Sequence, residues 1–175
     1  QDSNDKARKA KVFLYLGDVY MDMQNHIEAM KALKQAEEQV NDAESSVQSL
    51  IYSNLAYLNR ESGNYELAWK YYQKALNVNI SNGYTERIVT NLTNVLNLPL
   101  PKVQDSITIY INQLEEILLS VRPELQSKAY NNIGVYFYKC NQTRQAAKYF
   151  QKAIHTSVSV PYRAYSNLAR IYDEQ

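Results

Sequence analysis

Four asparagines recur at one kind of position. Asn54, Asn91, Asn132 and Asn167 each stand directly before a Leu or Ile, in the contexts Asn-Leu-Ala, Asn-Leu-Thr, Asn-Ile-Gly and Asn-Leu-Ala. A carboxamide offers both N–H donors and a carbonyl acceptor. Recurring along a chain, such groups can pair with the N–H and C=O of an extended peptide without reading its side chains. They can equally tie neighbouring backbone of their own chain together. Both readings are open at this level.

The residue types that catalysis needs are present but not assembled. His26 and His155 are far apart in sequence, and neither has a partner at metal-ligand or nucleophile spacing. Cys140 follows Lys139 in a turn without a nearby His and reads as an ordinary thiol. Glu37-Glu38 and Glu115-Glu116 lie on helical stretches with nothing to suggest paired acid–base work. There is no glycine-rich phosphate loop. The sequence predicts no enzyme, no metal and no cofactor.

The elements that position the asparagines are set by a repeat. Tyr52 to Leu76 contains two apolar stripes at helical spacing, separated by the turn signal Ser62-Gly63-Asn64. That is one helical hairpin. Ala36, Ala75, Leu114 and Ala153 are each 39 residues apart, as are Leu33, Tyr72, Ile111 and Phe150, and Ala29, Ala68, Ile107 and Ala146. Three apolar registers that keep one period over four copies mark stacked supersecondary units. One hairpin cannot bury its own apolar face, so its neighbours must.

At these residues the chain resembles the tetratricopeptide repeat family. Phe13, Leu16, Gly17, Tyr20, Ala29, Leu33 and Ala36 follow the family pattern. So do Tyr52, Leu55, Ala56, Ala68, Tyr72 and Ala75, and then Tyr130, Ile133, Gly134, Phe137, Ala146, Phe150 and Ala153. The resemblance implies an all-α fold, a right-handed α-solenoid of antiparallel helix pairs with about nine helices. The period of 39 exceeds the family's usual length of about 34. The expected organisation is a single array over 1–175, with repeats at about 6–41, 45–80, 84–121 and 124–157 and a half repeat at 161–175.

In that family the first helices of successive repeats line a concave face. The resemblance therefore puts Asn54, Asn91, Asn132 and Asn167 in a peptide-binding groove, together with Tyr57, Tyr138, Arg163 and Arg170. Ser53, Arg60, Glu61, Thr90, Asn94, Asn131, Val135, Lys139 and Ser166 complete the expected lining, and Tyr15 replaces the asparagine in the first helix. Family members that grip a terminal carboxylate need Lys and Asn where this chain has Leu14 and Asp18, which argues against a clamp of that kind.

Details along the chain follow from turn chemistry. Gly17 sits inside the first helix at a cost of about 1 kcal/mol, which close approach of a neighbouring helix would offset. Asn41 to Glu44 is a polar break, and Gly83 suits a left-handed cap. In the third repeat Pro99 and Pro101 stop the first helix, giving a longer turn at Leu98 to Lys102 and a second helix from Val103 to Val121. Pro123 fits the first position of the next helix. The start at Gln1 and the half repeat at the end suggest a segment cut from a longer array.

Composition narrows the partner class. A formal charge of +1 over 175 residues argues against a nucleic-acid footprint. No run approaches the roughly 18 apolar residues of a membrane span. The single Cys forms no internal disulfide, which slightly favours the cytoplasm and leaves a bacterial periplasm open. The sixteen Tyr fall mostly at helix positions where a ring fills the space between helices. The expected function is a non-catalytic module that binds a protein or extended peptide on its concave face. The alternative is a sensory or regulatory segment of a larger bacterial signalling or transcription-regulatory protein.

Overall fold

The computed structural model describes residues 2–39, 44–99 and 107–173. Residues 41–43 of the polar break, 100–102 of the expected long turn and 103–106 of the expected helix start lie outside them. Among the described residues the chain is helical, with nine α-helices and no strand. Contacts divide it into two compact units, Gln1–Tyr84 and Thr85–Gln175.

The first unit contains α1 (Asp2–Asp22), α2 (His26–Gln39), α3 (Ser45–Glu61) and α4 (Tyr65–Ser81). α1 pairs with α2 and α3 with α4, and α3 packs on both α1 and α2. The second unit contains α5 (Thr85–Val95), α6 (Ile107–Leu118), α7 (Pro123–Lys139), α8 (Thr143–Thr156) and α9 (Tyr162–Asp173). α7 and α8 form its closest pair, α5 rests on α6 and α7, and α9 rests on α8.

The 39-residue period is a burial pattern. All twelve residues of the three registers, from Ala29 to Ala153, are buried. Small residues let the paired helices come close. A Cβ on Gly17 would lie 2.7 Å from Leu33 Cγ, and one on Gly134 would lie 2.6 Å from Phe150 Cδ1. In both hairpins the facing side chain is sixteen positions further on. The close approach expected at Gly17 is therefore present, against Leu33 of α2.

The hairpin turns share one geometry. Gln24, Gly63 and Asn141 all have positive φ, at 58, 77 and 57°. In each turn the next residue's N–H reaches back five positions, as Asn25 to Tyr20 at 2.8 Å, Asn64 to Asn59 at 2.8 Å and Gln142 to Phe137 at 2.9 Å. The left-handed residue's own N–H reaches back three. These are Schellman closures, which satisfy the last carbonyls of a helix. They fix where the second helix of each hairpin starts. Gly83 has the left-handed φ expected of it, 67°. α5 ends at Val95, ahead of Pro99, and Pro123 occupies the first turn of α7.

Candidate peptide-binding face

The second unit carries a cleft of about 520 Å³ between α7 and the start of α9. Lys128, Asn131 and Asn132 line it from α7, and Tyr162 and Arg163 from α9, with Ser157 and Ser159 from the connection after α8. Spacing explains the α7 contribution. Lys128 and Asn132 are four apart and share one helix face, which the burial of Ile133 and Gly134 turns away from the core. Lys128 and Arg163 outnumber Glu124 among the charged lining residues, so the cleft is weakly cationic.

The sequence-predicted site residues fall into distinct local settings. Asn132 and Arg163 meet at the cleft. Asn167 Nδ2 donates to Asn131 Oδ1 at 3.1 Å, joining α9 to α7. Arg170 of α9 lies over the ring of Tyr138 of α7, 6.0 Å from its centroid. Five of the named residues, Asn132 and Tyr138 of α7 and Arg163, Asn167 and Arg170 of α9, thus belong to these two helices. In the first unit, Asn54 Nδ2 donates to Asp18 Oδ1 at 2.6 Å, and Arg60 lies 5.0 Å from the Tyr57 ring centroid. Burial raises the Asp18 carboxyl above its ordinary range. The Asn54 bond opposes that rise and the nearby Asp22 adds to it.

Asn91 is not on an open surface. It is 1% exposed within α5, beside the buried Leu92 and Thr93. α5 packs on α6 and α7, and Asn91 lies on its buried side, which removes it from any external chain. Asn54 and Asn167 also show the second property of a carboxamide. Each reaches a partner 36 positions earlier, on the preceding first helix. Asn54 and Asn167 therefore stitch successive repeats. A carboxamide has further donor and acceptor capacity after one such bond.

Sequence reasoning missed Lys128 and Tyr162 as cleft residues. Lys128 was accessible by counting one turn back from Asn132. Tyr162 was not, because its placement depends on how residues 157–161 cross from α8 to α9. His26 opens α2, His155 is exposed in the last turn of α8, and Cys140 is exposed. Among the described residues, no group of three or more His, Cys, Asp or Glu converges as a metal site would, and no helix is long and apolar enough to cross a membrane.

Two family models, each described as tetratricopeptide repeat, match residues 8–81 and 127–160, together more than half of the chain. The chain belongs to the tetratricopeptide repeat family. Repeats of this family mediate protein–protein interaction and form non-catalytic modules. Among solved structures, the chain is similar to BtubC (BKLC) from P. vanneervenii, at 17% identity and a TM-score of 0.75, covering 98% of this chain and 80% of that one. It is also similar to PilF of Pseudomonas aeruginosa, at 22% identity and a TM-score of 0.66, covering 97% of this chain and 71% of that one. At such identities the likeness is one of fold. No curated protein sequence matches the chain significantly.

Proposed function

We propose that the chain is a peptide-binding interaction module whose site in the second unit is the α7–α9 face. The observation that carries this reading is the cleft that brings Asn132 and Arg163 together beside Lys128. An extended segment would lie across α7 and α9. Asn132 and Asn167 would pair with its main chain, and Tyr138 with Arg170 would form a wall against its side chains. Lys128 and Arg163 favour a segment with an acidic residue at the cleft, because an anion there meets two cations and one carboxylate. Asn54 and Tyr57 form the corresponding face of the first unit. Asn91 has no direct part, being enclosed in α5.

Main-chain pairing has a distinctive signature. Peptides selected from a random display library on this chain are expected to tolerate shuffling of most side chains. They are expected to lose affinity when backbone N–H groups are methylated. Asn132→Ala is expected to weaken a selected peptide roughly tenfold, the equivalent of one well-placed hydrogen bond. Arg163→Ala is expected to weaken acidic peptides more than neutral ones. Equal binding to the parent and to an Asn132→Ala/Asn167→Ala chain that keeps its helicity would move the interaction to another surface.

A further inference from the structure

Cations recur at one position of the repeat, four residues before the asparagine. Lys128 precedes Asn132 and Arg163 precedes Asn167 by that interval. Arg87 precedes Asn91 in the same way, and Lys11 precedes Tyr15, the residue in the asparagine's place. Leu50, before Asn54, is the exception. Residues four apart share a helix face, so each cation stands one turn from the carboxamide of its helix. The settings of these cations differ. Lys11 is 3.4 Å from Glu44. Lys128 and Arg163 are exposed and have no carboxylate partner among the described residues, although Glu124 is one turn before Lys128. Both line the same cleft.

The openness of this cleft follows from the packing of first helices on one another. The bonds from Asn54 to Asp18 and from Asn167 to Asn131 each span 36 positions, so α9 stands to α7 as α3 stands to α1. α4 pairs with α3 and does not pack on α1. A helix paired with α9 in the same way would leave the space between α7 and α9 open.

Two cations at equivalent positions of neighbouring first helices set a spacing. Packed helix axes lie about 8–10 Å apart. In an extended segment the side chains of residues i and i+2 point to one side, about 7 Å apart, while that of i+1 points to the other. Flexible Lys and Arg side chains span the remaining difference. Carboxylates at i and i+2 therefore give each cation its own partner, while the main chain passes Asn132 and Asn167. Glu124, also in the lining, opposes a third anion beside them.

Resting on the peptide-binding reading above, we infer that the α7–α9 cleft selects an internal acidic-Xaa-acidic sequence in an extended segment of a partner protein, with Lys128 facing one carboxylate and Arg163 the other.

Fluorescence anisotropy with peptide pools, acetylated and amidated at their ends, tests it. The pools carry Asp-Asp, Asp-Xaa-Asp or Asp-Xaa-Xaa-Asp at the centre, flanked by a degenerate mixture of neutral residues. Asp-Xaa-Asp is expected to bind roughly tenfold tighter than either other spacing. Lys128→Glu is expected to favour Lys in place of one Asp of the motif, and Arg163→Glu to favour Lys in place of the other. A folding defect cannot produce two opposite preferences. Equal binding of the three spacings, with Asn132→Ala still weakening all of them, would overturn the acidic pair and keep the peptide face. Tighter binding of a pool with a single phosphoserine in place of the pair would overturn it too, because the two cations would then converge on one anion. No binding by any pool, or binding indifferent to Asn132→Ala, Lys128→Glu and Arg163→Glu, would overturn the inference and the peptide face together.

Discussion

Lys74 donates to Glu37 at 3.2 Å across two successive second helices, and 78 residues later Lys152 donates to Glu115 at 2.5 Å in the same register. The tyrosines repeat with them. The Tyr52 and Tyr71 rings are 6.3 Å apart at 31°, and the Tyr130 and Tyr149 rings 6.4 Å apart at 33°. Lys74 lies 5.0 Å from the Tyr52 centroid and 5.1 Å from that of Tyr71, while Lys152 lies 5.3 Å from Tyr130 and 4.9 Å from Tyr149. Each unit thus has one clasp, in which a lysine packs on two rings and reaches the carboxylate of the preceding repeat.

The first clasp has a pH signature. Burial is the largest influence on Glu37 and raises its carboxyl, but hydrogen bonds from Lys34, Lys74 and Tyr71 together outweigh it and leave the group below its ordinary 4.5. A carboxylate lowered in the folded state adds stability that is present above the unfolded value and lost as pH falls through the folded one. Stability is therefore expected to decline as pH drops below about 4.5. Glu37→Gln is expected to cost roughly 0.5–1 kcal/mol at neutral pH and to flatten that decline. Urea midpoints of both chains at neutral and acidic pH measure it. An acid limb unchanged by the substitution would remove the clasp from the account.

Gly134 tests the close approach of α7 and α8. A methyl group there would lie 2.6 Å from two atoms of the Phe150 ring, so the ring or the helix must shift. Gly134→Ala is expected to cost roughly 1–3 kcal/mol through overpacking. Adding Phe150→Leu, which sets the residue type found at Leu33, is expected to recover part of the loss. Thermal melts of the two single variants and the double variant would show the coupling. Independent, additive costs would mean that the two residues do not share the space.

Much of this architecture was legible because the apolar period is strict. The twelve register positions from Ala29 to Ala153 could be named as core by counting, and all twelve are buried. Settings that depend on how helices face each other were not legible. Nothing in the sequence around Asn91 distinguishes it from Asn132, yet one is enclosed and the other lines a cleft. The difference lies in α5, a shorter helix than its counterparts, packed on two neighbours. The bond from Asn54 to Asp18 joins residues 36 apart and needs the packed hairpins to be visible. The left-handed turn residues Gln24 and Asn141 were also hidden, because neither is the glycine that normally announces that conformation.

Gln24 offers a stabilising substitution for that reason. Its φ of 58° places an L side chain in the left-handed region, where the register-equivalent residue is Gly63. Gln24→Gly removes that strain, and the greater freedom of glycine in the unfolded chain offsets part of the gain. A net increase of roughly 0.5–1 kcal/mol is expected. Asn141→Gly is expected to gain less, since Asn tolerates this conformation better. Chemical denaturation of the two variants gives the order, and a destabilised Gln24→Gly chain would contradict it.

Tyr72 breaks the pattern of its own register. Leu33, Ile111 and Phe150 fill the equivalent positions, and Tyr72 alone among the four brings a hydroxyl into the core, where its Oη is buried without a hydrogen-bond partner among the described residues. Burial pushes the phenol up to about 12, with Arg60 lowering it and Glu61 and Tyr57 raising it. An acid raised in the folded state adds stability that is complete below its unfolded value of 10.0 and lost as pH rises toward 12. Tyr72→Phe deletes an unpaired polar atom without opening a large cavity. It is expected to raise neutral-pH stability by about 1 kcal/mol and to reduce the loss between those two pH values. Denaturant midpoints at neutral and alkaline pH decide the matter. A less stable Tyr72→Phe chain would mean that the hydroxyl is held by a bond the core supplies.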